Sequence, residues 1–221
     1  MNRVWAIIVA AGEGKRFGTA KQFVLLKGKT LLDWNLERFE EHEDIDKIVV
    51  VLGKAHSGKE YLGRYKKIAA IARGGEKRQD SVRAGLNHVD AHEAEIVLVH
   101  DGARPLVGKS LIGRVIEATR EQGAVIPVLP VEDTLKIVED NKVGRTENRK
   151  RFFRAQTPQG FSYALLKEAF IHAHQTDFVG TDEAVLVEKM GKDVFVIQGE
   201  RGNIKITTQE DLRIAEAWIE G

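Results

Sequence analysis

A chain of 221 residues carrying 34 Lys and Arg against 33 Asp and Glu stands at a net charge of +1, which excludes a general polyanion binder and requires any anion site to be local. The absence of cysteine removes disulfides, thiolate metal sites and cysteine nucleophiles, and fits a reducing cytoplasm. No apolar run approaches the ~20 residues of a membrane helix, and Met1 to Trp5 lacks the layout of a signal peptide, so the expectation is one soluble, cytoplasmic α/β domain over 1–221.

Val4 to Ala10 is aliphatic or small apart from Trp5, the pattern of a strand covered on both faces in a parallel sheet. It runs into Gly12 and Gly14, which let the backbone approach a ligand closely, and then into Lys15, Arg16 and Lys21. This is a candidate phosphate loop. A Walker A loop is excluded because Val9 and Arg16 stand where Gly and Ser or Thr are needed, and the dinucleotide fingerprint fails at Phe17. Thr30 with Asp33 caps a helix that shows Leu31, Leu32, Trp34, Leu36 and Phe39 on its apolar face, ending near Glu41. Ile48 to Leu52 is a second strand closed by Gly53, Glu60 to Lys67 reads as helical, and Ile68 to Ala72 is a third strand. The segment Arg73 to Val82 follows as a second anion loop, with its helix capped by Asp80 or Ser81.

Ile96 to Val99 is the fourth strand, delivering Asp101 to the carboxyl end where open α/β sheets bind ligands. Asp101 suits Mg²⁺ or a ribose hydroxyl; the alternative is a pair with Arg104 that closes the loop. A helix over Ser110 to Glu121 ends at Gly123, and Ala124 to Leu129 is a strand in which Pro127 signals a bend or an edge. From about 133 to 156 the rhythm changes: Thr134 to Glu139 alternates, Asp140-Asn141-Lys142 turns, and an extended run follows to Arg154. That is a β-hairpin arm. Phe152 and Phe153 on it, beside Arg145, Arg149, Lys150, Arg151 and Arg154, suggest a homodimer contact; the near-neutral whole speaks against nucleic acid. Helices over Tyr163 to His174 and Asp182 to Met190, strands at Val194 to Gln198 and Asn203 to Thr207, and a closing helix over Leu212 to Ile219 complete the chain. None of the seven histidines lies in an HExxH motif, and all are read as structural or solvated. No serine occupies a G-x-S-x-G elbow.

Seven motifs appear in order: AAGEGKRFGTAKQF, GGEKRQDSVRAGL, LVHDGARP, EDT at Glu132, TPQGF at Thr157, TDEA at Thr181 and NIKIT at Asn203. The set resembles the 2-C-methyl-D-erythritol 4-phosphate cytidylyltransferases of the non-mevalonate isoprenoid pathway. The related ribitol-phosphate cytidylyltransferases usually open with Leu-Ala-Gly-Gly, whereas Val9-Ala10-Ala11-Gly12 stands here. Two departures from the pattern are a shorter segment between Arg16 and Lys21, and Gly102 in place of alanine.

The resemblance implies a three-layer αβα Rossmann-like nucleotidyltransferase fold, with a mostly parallel sheet and a projecting β-hairpin arm for dimerisation. It implies cytidylyl transfer from CTP to 2-C-methyl-D-erythritol 4-phosphate with release of pyrophosphate. A ribitol-phosphate or other polyol-phosphate acceptor is the alternative, and a non-catalytic nucleotide-binding module the remote one. Arg16, Lys21, Arg149 and Lys205 are implied as catalytic. Ala10, Ala11, Gly12, Gly14, Lys15, Gly75, Arg78, Ser81, Asp101 and Ala103 would bind the nucleotide. Arg104, Thr134, Arg149, Thr157 and Lys205 would hold the acceptor, with Arg149 reaching the neighbouring subunit's site. Mg²⁺ or another divalent cation is the implied cofactor, with Asp101 as its candidate ligand.

Overall fold

The computed structural model describes residues 3–12, 14, 17–18 and 20–220. Lys15 and Arg16 lie outside the described residues. The chain runs through β1 (Arg3–Ala10), β2 (Leu25–Leu26), β3 (Lys29–Thr30), α1 (Leu31–Glu40), β4 (Lys47–Leu52), β5 (Ile68–Arg73), α2 (Arg78–Leu86), β6 (Ala94–Asp101), α3 (Lys109–Gln122) and β7 (Ala124–Pro130). It continues with β8 (Lys136–Glu139), β9 (Lys142–Thr146), β10 (Phe153–Ala155), β11 (Gln159–Ser162), α4 (Tyr163–Gln175), α5 (Glu183–Lys189), β12 (Phe195–Gln198) and α6 (Gln209–Glu220).

An eight-stranded sheet has the order β10-β7-β11-β6-β1-β4-β5, with β12 paired to β7. Its β6-β1-β4-β5 portion is parallel, while β10 and β11 run antiparallel to their neighbours. Because side chains alternate across a strand, β1 feeds two separate cores. Val4, Ala6, Ile8 and Ala10 pack with Leu32, Leu36 and Phe39 of α1 and with Leu111 and Val115 of α3. Trp5 and Ile7 pack with Val82 and Leu86 of α2, Leu166 and Phe170 of α4, and Leu186 of α5. Helices therefore cover both faces, as the apolar run of β1 requires.

Several boundaries differ from expectation, each for a local reason. Only Lys59–Tyr61 is helical in the stretch expected to be a helix up to Lys67; Gly58 and Gly63, both at positive φ, bracket it and stop propagation. The helix after the second anion loop starts at Arg78, with Lys77 at its N-cap. Asp80 instead accepts the Lys77 backbone N–H, and Ser81 Oγ accepts that of Gly75. Pro127 is neither at an edge nor at a break, since β7 is paired with β12 along Val125 to Val128. It falls where the other side of β7 passes from β11 to β10, so its missing N–H removes no ladder bond. Asn203 to Thr207 forms no strand, although Ile206 N–H donates to the Ala103 carbonyl at 2.8 Å.

The arm is shorter than the expected span: β8 and β9 form a separate two-stranded sheet, and β10 returns to the main sheet against β7. Phe152 and Phe153, at the base of the arm, are 41% and 54% exposed. The capping of α1 follows the sequence, with Thr30 Oγ1 accepting the Asp33 N–H at 3.0 Å.

Gly85 lets α2 lie close on the sheet: a Cβ there would stand 2.7 Å from Ile7 Cγ2 and 2.8 Å from Val51 Cγ2. Both methyls are attached at Cβ and cannot swing away as a chain end would. Gly85→Ala should therefore lose about 1–2 kcal/mol of stability, overpacking outweighing the gain in helix propensity. An unchanged urea midpoint at constant m-value would show that the helix can shift outward freely.

Candidate active site

Three loops at the carboxyl ends of β1, β5 and β6 meet the 203–207 segment around a cavity of about 210 Å³. Its walls include Ala10, Ala11, Gly12, Lys21, Gly75, Arg78, Ser81, Asp101, Ala103 and Lys205. A wider cavity of about 840 Å³ adjoins it, sharing Ala11, Gly12, Gln22, Gly75 and Glu76 and extending to Gly14 and Gly53. Small residues are needed here for close packing: a Cβ on Gly74 would lie 2.3 Å from Ala11 Cβ, and one on Gly75 2.4 Å from Asp80 Cβ. Gly74 thus brings the ends of β1 and β5 together, and Gly75 lets the loop lie against the first turn of α2.

Charges alternate through the site. Arg78 Nε donates to Asp101 Oδ1 at 3.0 Å, and Lys205 Nζ donates to Asp101 Oδ2 at 2.7 Å. Beyond Arg78, its Nη1 meets both oxygens of Glu183 at 2.8 and 2.9 Å. Burial by itself raises the Asp101 carboxyl, but Arg78 and Lys205 outweigh it and hold the group well below the usual carboxylate range. Burial likewise opposes the charge of Arg78, and the Glu183 and Asp101 carboxylates overcome this and raise its pKa. For Glu183 burial dominates and raises the carboxyl, against the pull of Arg78.

Lys21 begins a short helical turn, Lys21–Phe23, and its Nζ donates to the Ile206 carbonyl at 2.8 Å. Ile206 is therefore bonded on one side to Lys21 and on the other to Ala103, while the residue before it supplies the ammonium on Asp101. Upstream, Phe17 is buried with Leu26, Leu31, Ile206 and Ala215, and Gly14, at φ +67, offers its carbonyl to the N–H groups of Phe17 and Gly18. One small apolar cluster thus anchors the glycine loop beside the segment that carries Lys205.

Beneath the site lies an uncharged network. His100 Nε2 is 2.8 Å from Asn35 Oδ1, and Nδ1 is 3.1 Å from Thr157 Oγ1. Asn35 Nδ2 donates to the carbonyls of Leu31 and Gly102, which leaves Oδ1 as the acceptor and puts the His100 proton on Nε2. Thr157 Oγ1 donates to Nδ1 and accepts the Asp101 N–H at 3.1 Å.

Sequence reasoning singled out residues that the structure distributes differently. Lys21, Gly12, Gly75, Arg78, Ser81, Asp101, Ala103 and Lys205 line one cavity, and Gly14 the adjoining one. Arg104 and Thr157 do not: both are buried, and Arg104 donates to the carbonyls of Asn203 and Ala155. The closing Asp101–Arg104 pair is replaced by Asp101 with Arg78 and Lys205. Thr134 and Arg149 are exposed at the base of the arm, where Arg149 Nη1 donates to the Glu132 carbonyl. Glu183 was not foreseen as part of the site. An acid in the first turn of a helix reads as a partner for the helix dipole, and only the fold brings it to Arg78.

The IspD family model, 2-C-methyl-D-erythritol 4-phosphate cytidylyltransferase, matches residues 4–221. The chain belongs to this family. It is 40% identical to the 2-C-methyl-D-erythritol 4-phosphate cytidylyltransferase of Syntrophotalea carbinolica, over 98% of this chain and 96% of that one. To the enzyme of the same name from Bacillus cytotoxicus it is 43% identical, over 96% of each chain. The crystal structure of the Thermus thermophilus cytidylyltransferase superposes with a TM-score of 0.84 at 37% identity, covering 97% of this chain and 98% of that one. That of the Anaerococcus prevotii 4-diphosphocytidyl-2C-methyl-D-erythritol synthase gives 0.88 at 33%, covering 100% and 99%.

Among the described residues no group of three or more His, Cys, Asp or Glu side chains is placed to hold an ion. Asp101 and Glu76 are the carboxylates on the cavity wall. That supply fits Mg²⁺, which takes one or two carboxylates and completes its shell with phosphates and water.

Burial holds His100 down to about 4, against the attraction of Asp101. Folding then favours the neutral ring: stability is full above the ordinary histidine value near 6.5 and drains as the pH falls towards 4, by about 3 kcal/mol at ~1.4 kcal/mol per unit. Urea unfolding measured from pH 7 to pH 4.5 should show this loss, and His100→Asn should flatten it. A wild-type stability that stays level between pH 6.5 and 5 would contradict the neutral, network-bound ring.

Proposed function

We propose that this chain transfers a cytidylyl group from CTP to 2-C-methyl-D-erythritol 4-phosphate, releasing pyrophosphate, and that residues 1–221 act as one nucleotidyltransferase unit in the cytoplasm. The observation that carries the reading is the convergence of Lys21, Lys205, Arg78 and Asp101 on the cavity beside the glycine loop, in a member of the cytidylyltransferase family.

An oxygen of the acceptor phosphate attacks the α-phosphorus of CTP. As that bond forms, the bond from the α-phosphorus to the bridging oxygen breaks, and its electron pair leaves with pyrophosphate. Negative charge grows on the α-phosphoryl oxygens and the leaving group, so fixed cations and alignment lower the barrier without a covalent intermediate. Lys21 and Arg16 meet that charge, Lys205 holds the acceptor phosphate, and the backbone of Gly12 and Gly14 carries the triphosphate. Gly75, Ser81, Ala10, Ala11 and Ala103 bind base and ribose with Arg78. Asp101 would be the protein ligand of a bound Mg²⁺, which would neutralise further charge on the triphosphate. Ser81 Oγ accepts the Gly75 N–H and donates to the Lys77 carbonyl, both at 3.2 Å, which fixes the loop at this end of the cavity.

The remaining acceptor groups, Arg149 and Thr134, would come from the arm of a second subunit in a homodimer. The exposed Phe152 and Phe153 at its base are the surface that this contact would cover.

With CTP and Mg²⁺, pyrophosphate release should depend on the acceptor and be much faster with 2-C-methyl-D-erythritol 4-phosphate than with ribitol 5-phosphate. The reverse preference would reassign the acceptor, and release with neither would remove the enzymatic reading. Lys21→Ala should lower kcat by ~10² because its charge acts chiefly in the transition state. Mixed with an Arg149→Ala protein, it should recover part of the activity through hybrid dimers; none after verified subunit exchange would place each site within one chain.

A further inference from the structure

Glu183 is 1% exposed. A carboxylate so placed is costly unless it is paired. Both its oxygens face the same Arg78 nitrogen, Nη1, at 2.8 and 2.9 Å, while Arg78 Nε is committed to Asp101. Two carboxylates on different elements therefore hold one guanidinium at two of its three nitrogens. Nη2 has no hydrogen-bond partner among the described residues, and Arg78 lines the cavity.

The element presenting Glu183 is itself tied down. Asp182 accepts the Val185 N–H at 3.2 Å and the Gln159 side-chain amide at 2.8 Å. Gln79, next to Arg78 on α2, donates to the Phe178 carbonyl and accepts the Gly180 N–H. Adjacent residues of α2 thus grip the 178–183 segment at both ends, and the Glu183 carboxylate has a fixed position from which to act.

We infer that Glu183 is a positioning residue for nucleotide binding: it holds the Arg78 guanidinium so that Nη2 serves a ligand oxygen and Asp101 keeps its second oxygen for Lys205. The reason lies in guanidinium geometry. Released from Glu183, the Nε and Nη2 edge of Arg78 can close on Asp101 as a two-bond fork, the form such pairs favour. That fork would consume the donor meant for the ligand and compete with Lys205 for Oδ2. The inference rests on Arg78 belonging to the CTP site.

The test measures the CTP dissociation constant by calorimetry, without acceptor, for Glu183→Gln, Arg78→Lys and the double variant, alongside steady-state kinetics. Glu183→Gln should weaken CTP roughly 10-fold and change the acceptor KM by less, and the double variant should be no weaker than the worse single one, since both changes break one unit. Wild-type CTP affinity in Glu183→Gln beside a weakened Arg78→Lys would overturn the inference while leaving the CTP site standing, as would losses that multiply in the double variant. Unchanged affinity in Arg78→Lys would remove Arg78 from the CTP site and this role of Glu183 with it. Thermal melting checks that each variant folds; should Glu183→Gln not fold, Glu183→Asp, which withdraws the carboxylate by one methylene, carries the same expectations.

Discussion

An ionised carboxylate buried at the end of β6 is the constraint on which the rest of the site depends. Asp101 is 8% exposed, and removing such a charge from water is unfavourable by several kcal/mol unless cations meet it at close range. Arg78 arrives from the first turn of α2, and Lys205 from the stretch before α6. Satisfying one side chain therefore fixes where two remote segments run. The cations kept near Asp101 for structural reasons are the same ones proposed to serve the nucleotide and the acceptor phosphate.

Below this charged layer the protein uses neutral groups for the same purpose. Thr157, His100 and Asn35 form a chain in which each donor has an acceptor, and it ends on the Asp101 N–H and the Gly102 carbonyl. Gln156 joins in from the adjoining strand end, bonding Glu200 and Asn203, while Asn203 reaches the Thr157 carbonyl. Thr157, implied by the sequence as an acceptor contact, and His100, read there as structural or solvated, hold the backbone of the turn. The charges on the cavity wall above belong to Lys21, Lys77, Lys205, Arg78, Asp101 and Glu76.

Much of the fold was legible because β1, β4 and β6 are apolar on both faces, and a strand of that kind has few places to sit other than inside a parallel sheet. Residues that line the cavity were legible where they occupied strand ends, as Asp101 does, or glycine-bearing loops, as Lys21 and Arg78 do. Glu183 was hidden because its partner is 105 residues away and its local setting has a sufficient explanation as a helix start. Residues 62–67 were misread for the opposite reason: their composition suits a helix, and the positive-φ glycines 58 and 63 decide otherwise. Arg104 and Thr157 carry polar groups suited to a phosphate, and burial, which a linear pattern does not reveal, directs those groups to backbone atoms instead.

Ile206 joins the two ends of the chain. Its carbonyl receives Lys21 from 185 residues upstream, its N–H engages the turn after Asp101, and its side chain helps bury Phe17. On the ribosome, the sheet strands from β1 to β11 emerge well before this residue does, and β12 emerges just ahead of it. A nascent chain can thus pair most of its sheet while the walls of the cavity stay incomplete, and they close only once the 203–207 segment has emerged. Truncated products that retain the sheet would then lack Lys205 on the cavity wall and the carbonyl that holds the Lys21 ammonium.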